Sequence, residues 1–456
     1  MSKLYFDITE VVRYAKRHDS VTGIQRVELN VARECVRKLG ATAVRGLIRG
    51  ENGQRDRDVS LAFLIERESL IAETLLRETG ALSTGLWPDK LVLRKHLDPL
   101  RHRKWLRLLK KISIYVQALT SRQKLIELGL IGTRQAVLQS ATAHLRPTDV
   151  YVCLGTGWED PGAFRVARVH RKKGGRVVQM VHDLIPVVRP DLHMPNVSAK
   201  FRGWLTDAAG CVSLFLTVSE HTAKDLREFL RTLGVNVDVT VTPLAHEFPG
   251  YARGRKVTLP NQAKDAVGNL ISKRFVLCVG SLEGRKNIDR LLEAWVHART
   301  TTGDTQTQLV FAGRRGWMID SFDAAMRQTN AAGGSAVVIE NTTDAELAWL
   351  YANSLFTVYP SLYEGWGLPV GESLWFHTPC LASSATSVPE VGGQLATYAS
   401  PHDTDTMAQQ LHRLLTDPEA LVSSRFEIKN AVLRTWADHA ADVIQAIQDH
   451  AKIPQQ

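Results

Sequence analysis

The chain has 456 residues, of which 44% are hydrophobic and 23% are charged, and its formal net charge is +10. This length predicts two domains, and the composition is that of a globular protein, which excludes a disordered or fibrous chain. The longest apolar run, near "CVSLFLTV", is far shorter than the ~20 residues of a transmembrane helix, and the opening "MSKLYFDITEVV" is typical of a β-strand rather than a targeting segment.

Strand and helix patterns alternate in the first half of the chain. "KLYFDIT" predicts a strand and "GIQRVELNVARECVRKL" predicts a helix. A helix is also expected from about His221 to Leu233, and a short strand in "VDVTVTPLAHEFPG". Further strands are predicted over residues 149–155, 175–183 and 211–219.

The alternation restarts after a polar connection at about residues 243–273. A helix is predicted from Asn287, and "TTDAELAWLYANS" predicts a helix capped by Thr343 or Asp344. Strands are predicted over 274–281, 308–313, 335–340 and 355–360. Buried strands that alternate with helices favour an α/β protein with two doubly wound parallel sheets.

The five cysteines are odd in number and scattered: Cys35, Cys153, Cys211, Cys278 and Cys380. Because no CxxC or Cys/His spacing occurs, the sequence predicts neither a disulfide framework nor a zinc site. A reducing, cytoplasmic compartment fits this cysteine usage.

Three glycine-containing loops follow predicted strands, where ligands of doubly wound sheets bind. They are "TGIQRV" (22–27), "GSLEGRKN" (280–287) and "YEGWGLPVGE" (363–372). Glycines and helix N-termini admit an anion, and Arg285 and Lys286 add two cations, so a diphosphate site is predicted. Glu372 suits a ribose diol and Glu364 the hydroxyls of a group attached to the phosphate, which together describe a nucleotide sugar.

Each of these motifs also has a simpler interpretation. Gly-rich turns are usually only turns, and an Arg-Lys pair before a helix is usually exposed to solvent. "LGTGW" (154–158) is not an intact dinucleotide fingerprint, because Asp160 stands where the third glycine is needed. The triplets "DRD" (56–58) and "DTD" (403–405) lie in polar loop contexts and arise readily by chance, so no metal site is predicted.

The stretch "EGWGLPVGE" resembles the Glu, seven residues, Glu motif of retaining family-4 glycosyltransferases of GT-B fold. Five further stretches are similar to elements of that family: "TGIQRV", "VHDLIP" (181–186), "TVSEHTAKDL" (217–226), "VGSLEGRKN" and "ATSVPEVGG" (385–393). The resemblance covers nearly the whole chain except about 50–148. One departure is Ser281, where related enzymes often carry Arg.

This resemblance implies a GT-B architecture of two doubly wound Rossmann-like domains that face each other across a cleft. Residues 1–243 would form the N-terminal, acceptor-side domain, with a basic helical insertion at about 50–148. Residues 244–432 would bind the nucleotide sugar, and residues 433–456 would form a helix that crosses back to the first domain.

The implied activity is transfer of a hexosyl residue, with retention, to a glycan or lipid-linked glycan acceptor in surface polysaccharide biosynthesis. "TGIQRV" and "HDLIP" resemble segments of bacterial mannosyl- and rhamnosyltransferases, so GDP-mannose is the first donor to consider. No metal or other cofactor is expected. The implied catalytic residues are His182, Glu364, Arg285 and Lys286, with His182 facing the donor sugar. The implied donor-binding residues are Gly23, Ser281, Arg285, Lys286, Gly365, Trp366, Gly367, Leu368 and Glu372.

Other classes of protein explain less of the sequence. A GT-B-like epimerase or phosphorylase would use the same sheets, but the paired glutamates around "GWGLP" disfavour both. A Rossmann dehydrogenase would need the intact Gly fingerprint. A membrane-surface or nucleic-acid binding module would explain the basic segment but not the C-terminal half, and no nucleic-acid partner is expected.

The positive charge is concentrated between Lys90 and Lys124, where eleven Lys or Arg accompany one acid, Asp98. Within residues 100–119, basic residues fall on one helical face and apolar residues on the other. The basic residues are Arg103, Arg107, Lys110 and Lys111, and the apolar ones are Trp105, Leu108, Leu109, Ile112, Tyr115, Val116 and Leu119. Two interpretations stay open: a helix packed on the N-terminal domain with a solvated charged face, or a helix lying on an anionic membrane. The second would place the enzyme at the inner face of the plasma membrane.

Overall fold

The computed structural model of the chain describes residues 2–18, 21, 23–50, 54–66, 72–82, 88, 90–97, 103–132, 141–160, 162–333 and 335–452. Contacts divide the chain into two compact units. Unit 1 comprises Met1–Met180, Trp204–Leu216 and Ala440–Gln456. Unit 2 comprises Val181–Gly203 and Thr217–His439.

Among the described residues, one sheet has eight strands in the order β4-β3-β2-β1-β5-β6-β7-β8. Its strands are β1 (Leu4–Asp7), β2 (Val44–Ile48), β3 (Arg57–Ser60), β4 (Ala141–Thr142), β5 (Val150–Cys153), β6 (Arg176–Val181), β7 (Leu214–Thr217) and β8 (Asp238–Val241). The β2–β1–β5–β6 pairs are parallel, whereas β3 pairs antiparallel with both β2 and β4. Strands β5 and β7 are apolar and buried along their whole length, as expected for central strands covered on both faces.

The other sheet has six strands in the order β11-β10-β9-β12-β13-β14, and its recorded pairs are all parallel. Its strands are β9 (Phe275–Val279), β10 (Gln308–Ala312), β11 (Ala336–Ile339), β12 (Thr357–Tyr359), β13 (Cys380–Ser383) and β14 (Thr397–Ala399). Alternate residues of β9 belong to two different buried clusters. Val276 and Cys278 lie in one cluster, and Phe275 and Leu277 lie in the other. The sheet therefore has a core on each face, because side chains alternate across a strand.

Helices connect the strands of both sheets. Before β9 they are α1 (Thr9–Ala15), α2 (Ile24–Leu39), α3 (Phe63–Glu66), α4 (Ala72–Glu78), α5 (Lys90–Leu97), α6 (Lys104–Thr120), α7 (Arg122–Glu127), α8 (Arg165–Lys172), α9 (Ile185–Val188), α10 (Pro195–Ala209), α11 (Glu220–Thr232) and α12 (Asp265–Gly268). After β9 they are α13 (Ile288–Thr302), α14 (Asp320–Ala331), α15 (Asp344–Asn353), α16 (Leu368–Trp375), α17 (Val388–Gly392), α18 (Thr404–Thr416), α19 (Pro418–Asn430) and α20 (Trp436–Lys452). Short 3₁₀ turns cover Pro190–Leu192 and Gly284–Lys286.

The predicted alternation of strands and helices is confirmed. The first sheet ends at Val241 and the second begins at Phe275, on either side of the predicted connection. Thr343 is the N-cap of α15 and forms a capping box with Glu346, which settles the choice between Thr343 and Asp344. The strands β3 and β4 were not predicted, so the segment expected to be a helical insertion also extends the first sheet at its edge.

The two Asp-x-Asp triplets have structural roles. Asp58 accepts hydrogen bonds from Tyr5 and Arg45, and Asp56 forms an ion pair with Arg165. Asp403 is the N-cap of α18.

All five cysteines are buried and free. Among the described residues, no helix has the length and apolar character needed to cross a membrane.

Candidate functional site

Two loops that are about 80 residues apart in sequence meet because their strands are neighbours. β9 and β12 pair in parallel, so the loops after both strands leave the same edge of the second sheet. The Leu362 N–H donates to the carbonyl of Arg285 at 3.0 Å, and the Arg285 guanidinium donates to the carbonyl of Tyr363 at 2.9 Å. The order of strands in the sheet thus brings the motifs at 280–287 and 363–372 into direct contact.

A buried carboxylate, Glu364, lies between two cations. Its two oxygens are each 2.7 Å from a partner, Arg285 Nη1 and Lys286 Nζ, and Glu364 is only 7% exposed. Burial raises the pKa of Glu364, but Arg285 and Lys286 outweigh it and hold the pKa at about 2. The side chain is therefore a carboxylate at neutral pH.

The two cations have further partners in the same loops. Arg285 is also 2.8 Å from Glu283, which is fully buried and accepts a hydrogen bond from Ser281 Oγ. Lys286 donates to the Tyr359 hydroxyl at 2.8 Å and lies 4.9 Å from the centre of its ring. Two cations and two carboxylates thus form a cluster with no net charge, whereas the sequence had suggested two cations without partners. We call Glu283, Arg285, Lys286 and Glu364 the charge cluster.

The backbone after Glu364 requires glycine. A Cβ atom at Gly365 would lie 1.8 Å from the carbonyl oxygen of His182, so no other residue permits this approach. Gly367 has a φ of +114° and precedes α16, which no side chain caps. Trp366 between them is buried, and its indole N–H has no hydrogen-bond partner among the described residues.

His182 follows β6 and is held against this loop through its backbone. Thr222 Oγ1 lies 3.4 Å from the His182 carbonyl oxygen and 3.3 Å from that of Gly365. The His182 side chain is partly exposed. The structure therefore places the strand end at His182 beside the glycine loop within unit 2, and its predicted contact with a donor sugar remains a prediction.

Glu372, the second predicted glutamate, lies on α16, where Leu368 is the first helical residue. It is 6% exposed and accepts a hydrogen bond from the Tyr351 hydroxyl at 2.8 Å. Gly23, predicted from "TGIQRV", is exposed, has a φ of +54° and precedes α2 in unit 1.

Sequence reasoning missed a polar group that fixes the start of the glycine loop. The Tyr363 hydroxyl donates to Asp225 at 2.7 Å and lies 2.9 Å from His221 Nε2. Burial raises the pKa of Tyr363, and Asp225 raises it further, so Tyr363 stays a donor. Glu390 accepts the N–H groups of Glu220 and His221 at the start of α11. The partners of these bonds other than Tyr363 lie in the quoted stretches "TVSEHTAKDL" and "ATSVPEVGG", but only the tertiary structure shows which residues pair.

A polar cavity of about 790 Å³ lies in unit 1 at the ends of β2 and β5. We call it the unit 1 cavity. It is lined by Glu10, Arg13, Tyr14, Arg17, His18, Gln25, Glu28, Arg49, Gly50, Gly155, Thr156, Gly157, Trp158, Glu159, Asp160, Gly162 and Arg165. The "LGTGW" stretch, unsuited to a dinucleotide, forms part of this lining.

Charge in the unit 1 cavity is organised around Arg49 and Glu28. Arg49 is 6% exposed and forms ion pairs with Asp7 at 2.8 Å and with Asp160. Glu28 is 1% exposed, and its Oε1 has no hydrogen-bond partner among the described residues. Burial raises the pKa of Glu28 well above its usual value, and Asp7 and Glu10 raise it further. Burial and the neighbouring carboxylates therefore favour the protonated form of the Glu28 side chain.

Residues 262–430 match the family model of glycosyl transferases group 1. O-antigen chain mannosyltransferase B of Escherichia coli is 29% identical over 243 residues, which are 53% of this chain and 62% of that protein. The serotype-specific mannosyltransferase WbdA of Escherichia coli is 23% identical over 59% of this chain and 33% of its own length. The chain thus spans less than two thirds of these relatives.

Solved structures resemble the fold at low sequence identity. The structure described as trehalose-6-phosphate from E. coli bound with UDP-2-fluoro glucose has a TM-score of 0.58 at 14% identity and covers 100% of both chains. TarM has a TM-score of 0.50 at 12% identity over 68% of this chain and 55% of its own. These neighbours and the two sheets, whose central strands are parallel, confirm the GT-B fold class, and residues 262–430 form a glycosyl transferases group 1 domain within it.

Proposed function

We propose that this protein is a retaining glycosyltransferase that moves a hexosyl residue from a nucleotide-diphosphate sugar to a glycan or lipid-linked glycan acceptor in surface polysaccharide synthesis. The observation that carries the proposal is Glu364 held by Arg285 and Lys286, with Glu372 eight residues further on in the following helix. The relatives named O-antigen chain mannosyltransferase B and serotype-specific mannosyltransferase support GDP-mannose as the first donor.

The charge cluster suits a diphosphate that displaces one carboxylate contact. A diphosphate oxygen that takes the place of Glu364 beside Lys286 or Arg285 leaves both cations paired. As the bond to the anomeric carbon breaks, negative charge grows on the departing diphosphate, so the cations bind the transition state more strongly than the ground state. We infer that no metal ion is needed for this stabilisation.

Glu364 is better suited to hold the sugar than to attack it. A carboxylate with a pKa of about 2 that contacts two cations is a weak nucleophile. In the proposed reaction the acceptor oxygen attacks the anomeric carbon on the face that the diphosphate leaves. The acceptor proton passes to the departing phosphate oxygen, and a Glu364 oxygen accepts from a donor-sugar hydroxyl. His182 contacts a second sugar hydroxyl in this proposal.

The donor nucleotide would lie along α16. Tyr351 orients the Glu372 carboxylate by a 2.8 Å hydrogen bond, and the ribose diol donates to that carboxylate. The diphosphate and sugar would contact the backbone N–H groups of Gly365, Trp366, Gly367 and Leu368, and Ser281 completes the proposed donor set in unit 2. The donor contact of Gly23, which lies in unit 1, stays a prediction from the sequence.

The unit 1 cavity is the proposed place of the acceptor sugar. Its guanidinium and carboxyl groups offer donors and acceptors for several hydroxyls, and Trp158 offers an aromatic face.

The donor proposal predicts hydrolysis of one nucleotide sugar when acceptor is absent. Purified protein is incubated with GDP-mannose, GDP-rhamnose, UDP-glucose and UDP-N-acetylglucosamine, and free nucleotide is measured with and without excess EDTA. GDP release from GDP-mannose is expected, unchanged by EDTA. Interconversion of sugars without nucleotide release would indicate an epimerase, and activity lost with EDTA and restored by manganese would contradict metal independence.

The two glutamates should affect nucleotide binding in opposite directions. Glu364→Gln removes a negative charge that competes with the diphosphate, so GDP affinity should rise about tenfold, ~1.4 kcal/mol, while kcat falls about 100-fold. Glu372→Gln removes a charge-assisted bond to ribose and should weaken GDP binding by ~1.5–3 kcal/mol. Calorimetry measures both, with the exposed Glu340→Gln as control. Equal shifts of the same sign would contradict the assignment.

Glu364 should also make stability depend on pH in the acid range. Its folded pKa lies below the unfolded value of 4.5, so its contribution is full above about pH 4.5 and is lost as pH falls toward about 2. Glu364→Gln should cost about 3 kcal/mol of unfolding free energy at pH 7, because Arg285 and Lys286 lose a buried partner. Urea unfolding at pH 7, 5 and 3.5 should show the difference from wild type shrinking. A constant difference would show that the ion pairs contribute nothing.

Glu28 predicts the opposite pH dependence. Its folded pKa is raised, so wild-type stability falls as pH rises from about 4.5, by up to about 1.4 kcal/mol for each pH unit until the folded pKa is reached. Glu28→Gln should therefore raise Tm at pH 8 and have little effect on Tm at pH 4.5. Substitution of the exposed Glu66 by Gln should leave Tm unchanged at both pH values. A Glu28→Gln variant that is less stable at pH 8 would show that Glu28 is ionised.

A further inference from the structure

The helix α6 exposes its apolar face. Six large apolar residues recur at spacings that place them on one side of a helix: Trp105, Leu108, Leu109, Ile112, Val116 and Leu119. Their exposure runs from 48% for Leu108 to 79% for Trp105. We call these six residues the α6 stripe. Contiguous apolar surface of this kind marks an interaction site rather than ordinary scatter of surface side chains.

A different face of the helix is packed on the protein. Ile114 and Ala118 are 4% and 3% exposed, and both lie about half a turn away from the α6 stripe. The helix is thus anchored without using its most apolar side. The helix therefore packs on the protein and leaves its charged residues in solvent, as the first of the two interpretations predicts, but it does not pack through its apolar face.

The charged residues of the helix are all basic. α6 contains Lys104, Arg107, Lys110 and Lys111 and no acidic residue. Lys110 donates to the His96 carbonyl and Lys111 lies 5.9 Å from the Tyr115 ring centre, so neither charge is neutralised by a carboxylate in these contacts.

We propose that the α6 stripe docks on an anionic lipid bilayer, with the helix lying in the plane of the interface. A bilayer supplies the two things this surface needs, an apolar layer for the stripe and negative headgroups for the lysines and arginines. A nucleic acid would meet the cations but leave the stripe in water. If a second copy of the chain bound there through its own α6, two helices with four basic residues and no acidic residue would face each other, and their charges would repel.

The composition of the helix fits an interfacial rather than a spanning position. Four basic residues within 17 exclude a span, and no described helix qualifies as one. Trp105, with 79% exposure at the first turn, is the residue type that membrane–water interfaces favour. Lys104 and Lys111, the basic residues nearest the edge of the stripe by helical spacing, can extend along their own apolar stems to the headgroups.

This inference does not rest on the proposed function, because a chain without transferase activity would still bind lipid. The full chain is sedimented with vesicles of phosphatidylcholine alone or with 30% phosphatidylglycerol, at low and high salt. Binding is expected only with the anionic lipid, and it should fall at least tenfold in 0.5 M NaCl.

Two sets of variants separate the apolar and electrostatic contributions. A triple variant, Trp105→Ser, Leu109→Ser and Ile112→Ser, should lose vesicle binding at least tenfold although all charges remain. A quadruple variant that changes Lys104, Arg107, Lys110 and Lys111 to Gln should lose binding to the same degree. All seven positions are partly or fully exposed, so both variants should keep the wild-type circular dichroism spectrum and Tm.

Matched controls lie on exposed surfaces of unit 2. Val422→Ser with Phe426→Ser removes two apolar side chains that are 67% and 68% exposed. Changing Arg255, Lys256, Lys273 and Arg274 to Gln removes four exposed charges. Both controls should bind vesicles like wild type.

Three results would overturn the proposal. They are a wild type that does not sediment with anionic vesicles, an α6 variant that sediments like wild type, and a concentration-dependent dimer that the triple variant abolishes. The last result, measured by analytical ultracentrifugation without lipid, would assign the α6 stripe to a second copy of the chain.

Discussion

A buried carboxylate shared by two cations, Glu364 between Arg285 and Lys286, is the interaction on which the candidate donor site depends. Isolated charges are costly to bury, so each of the three groups requires the others to remain in the loop interior. The same contacts join the loop after β9 to the loop after β12 and so align the glycine segment that follows. Neighbouring strands bring the loops together, and the ion pairs fix their distance.

Much of the fold could be predicted from the sequence because the central strands are buried on both faces. β7 and β9 consist largely of buried apolar residues, and such runs are recognisable without knowledge of their partners. The capped start of α15 was recognisable for a similar reason, since Thr343 and Glu346 are only three residues apart. Signals of this kind are local.

The features that could not be predicted are tertiary. β3 and β4 are short and partly polar, and they become strands because the edge at β2 offers them backbone partners. The loop sequences identified Arg285, Lys286 and Glu364, but their mutual neutralisation depends on how two strands pair. Arg49 and Asp160 are 111 residues apart in the chain, and nothing near either one indicates the other. The periodicity of α6 showed two faces but did not show which one the protein buries.

The charge cluster and α6 should attract anions over different distances. The charge cluster has as many carboxylates as cations, so its electrostatic field is weak beyond the residues in direct contact. α6, in contrast, carries four cations and no acidic residue. Exposed charges act through water over about 8 Å at physiological ionic strength. A small anion should thus reach the charge cluster by unsteered diffusion, at a rate that salt scarcely changes. Any large anionic surface should instead be drawn to α6 before contact, and its rate of approach should slow as salt is added.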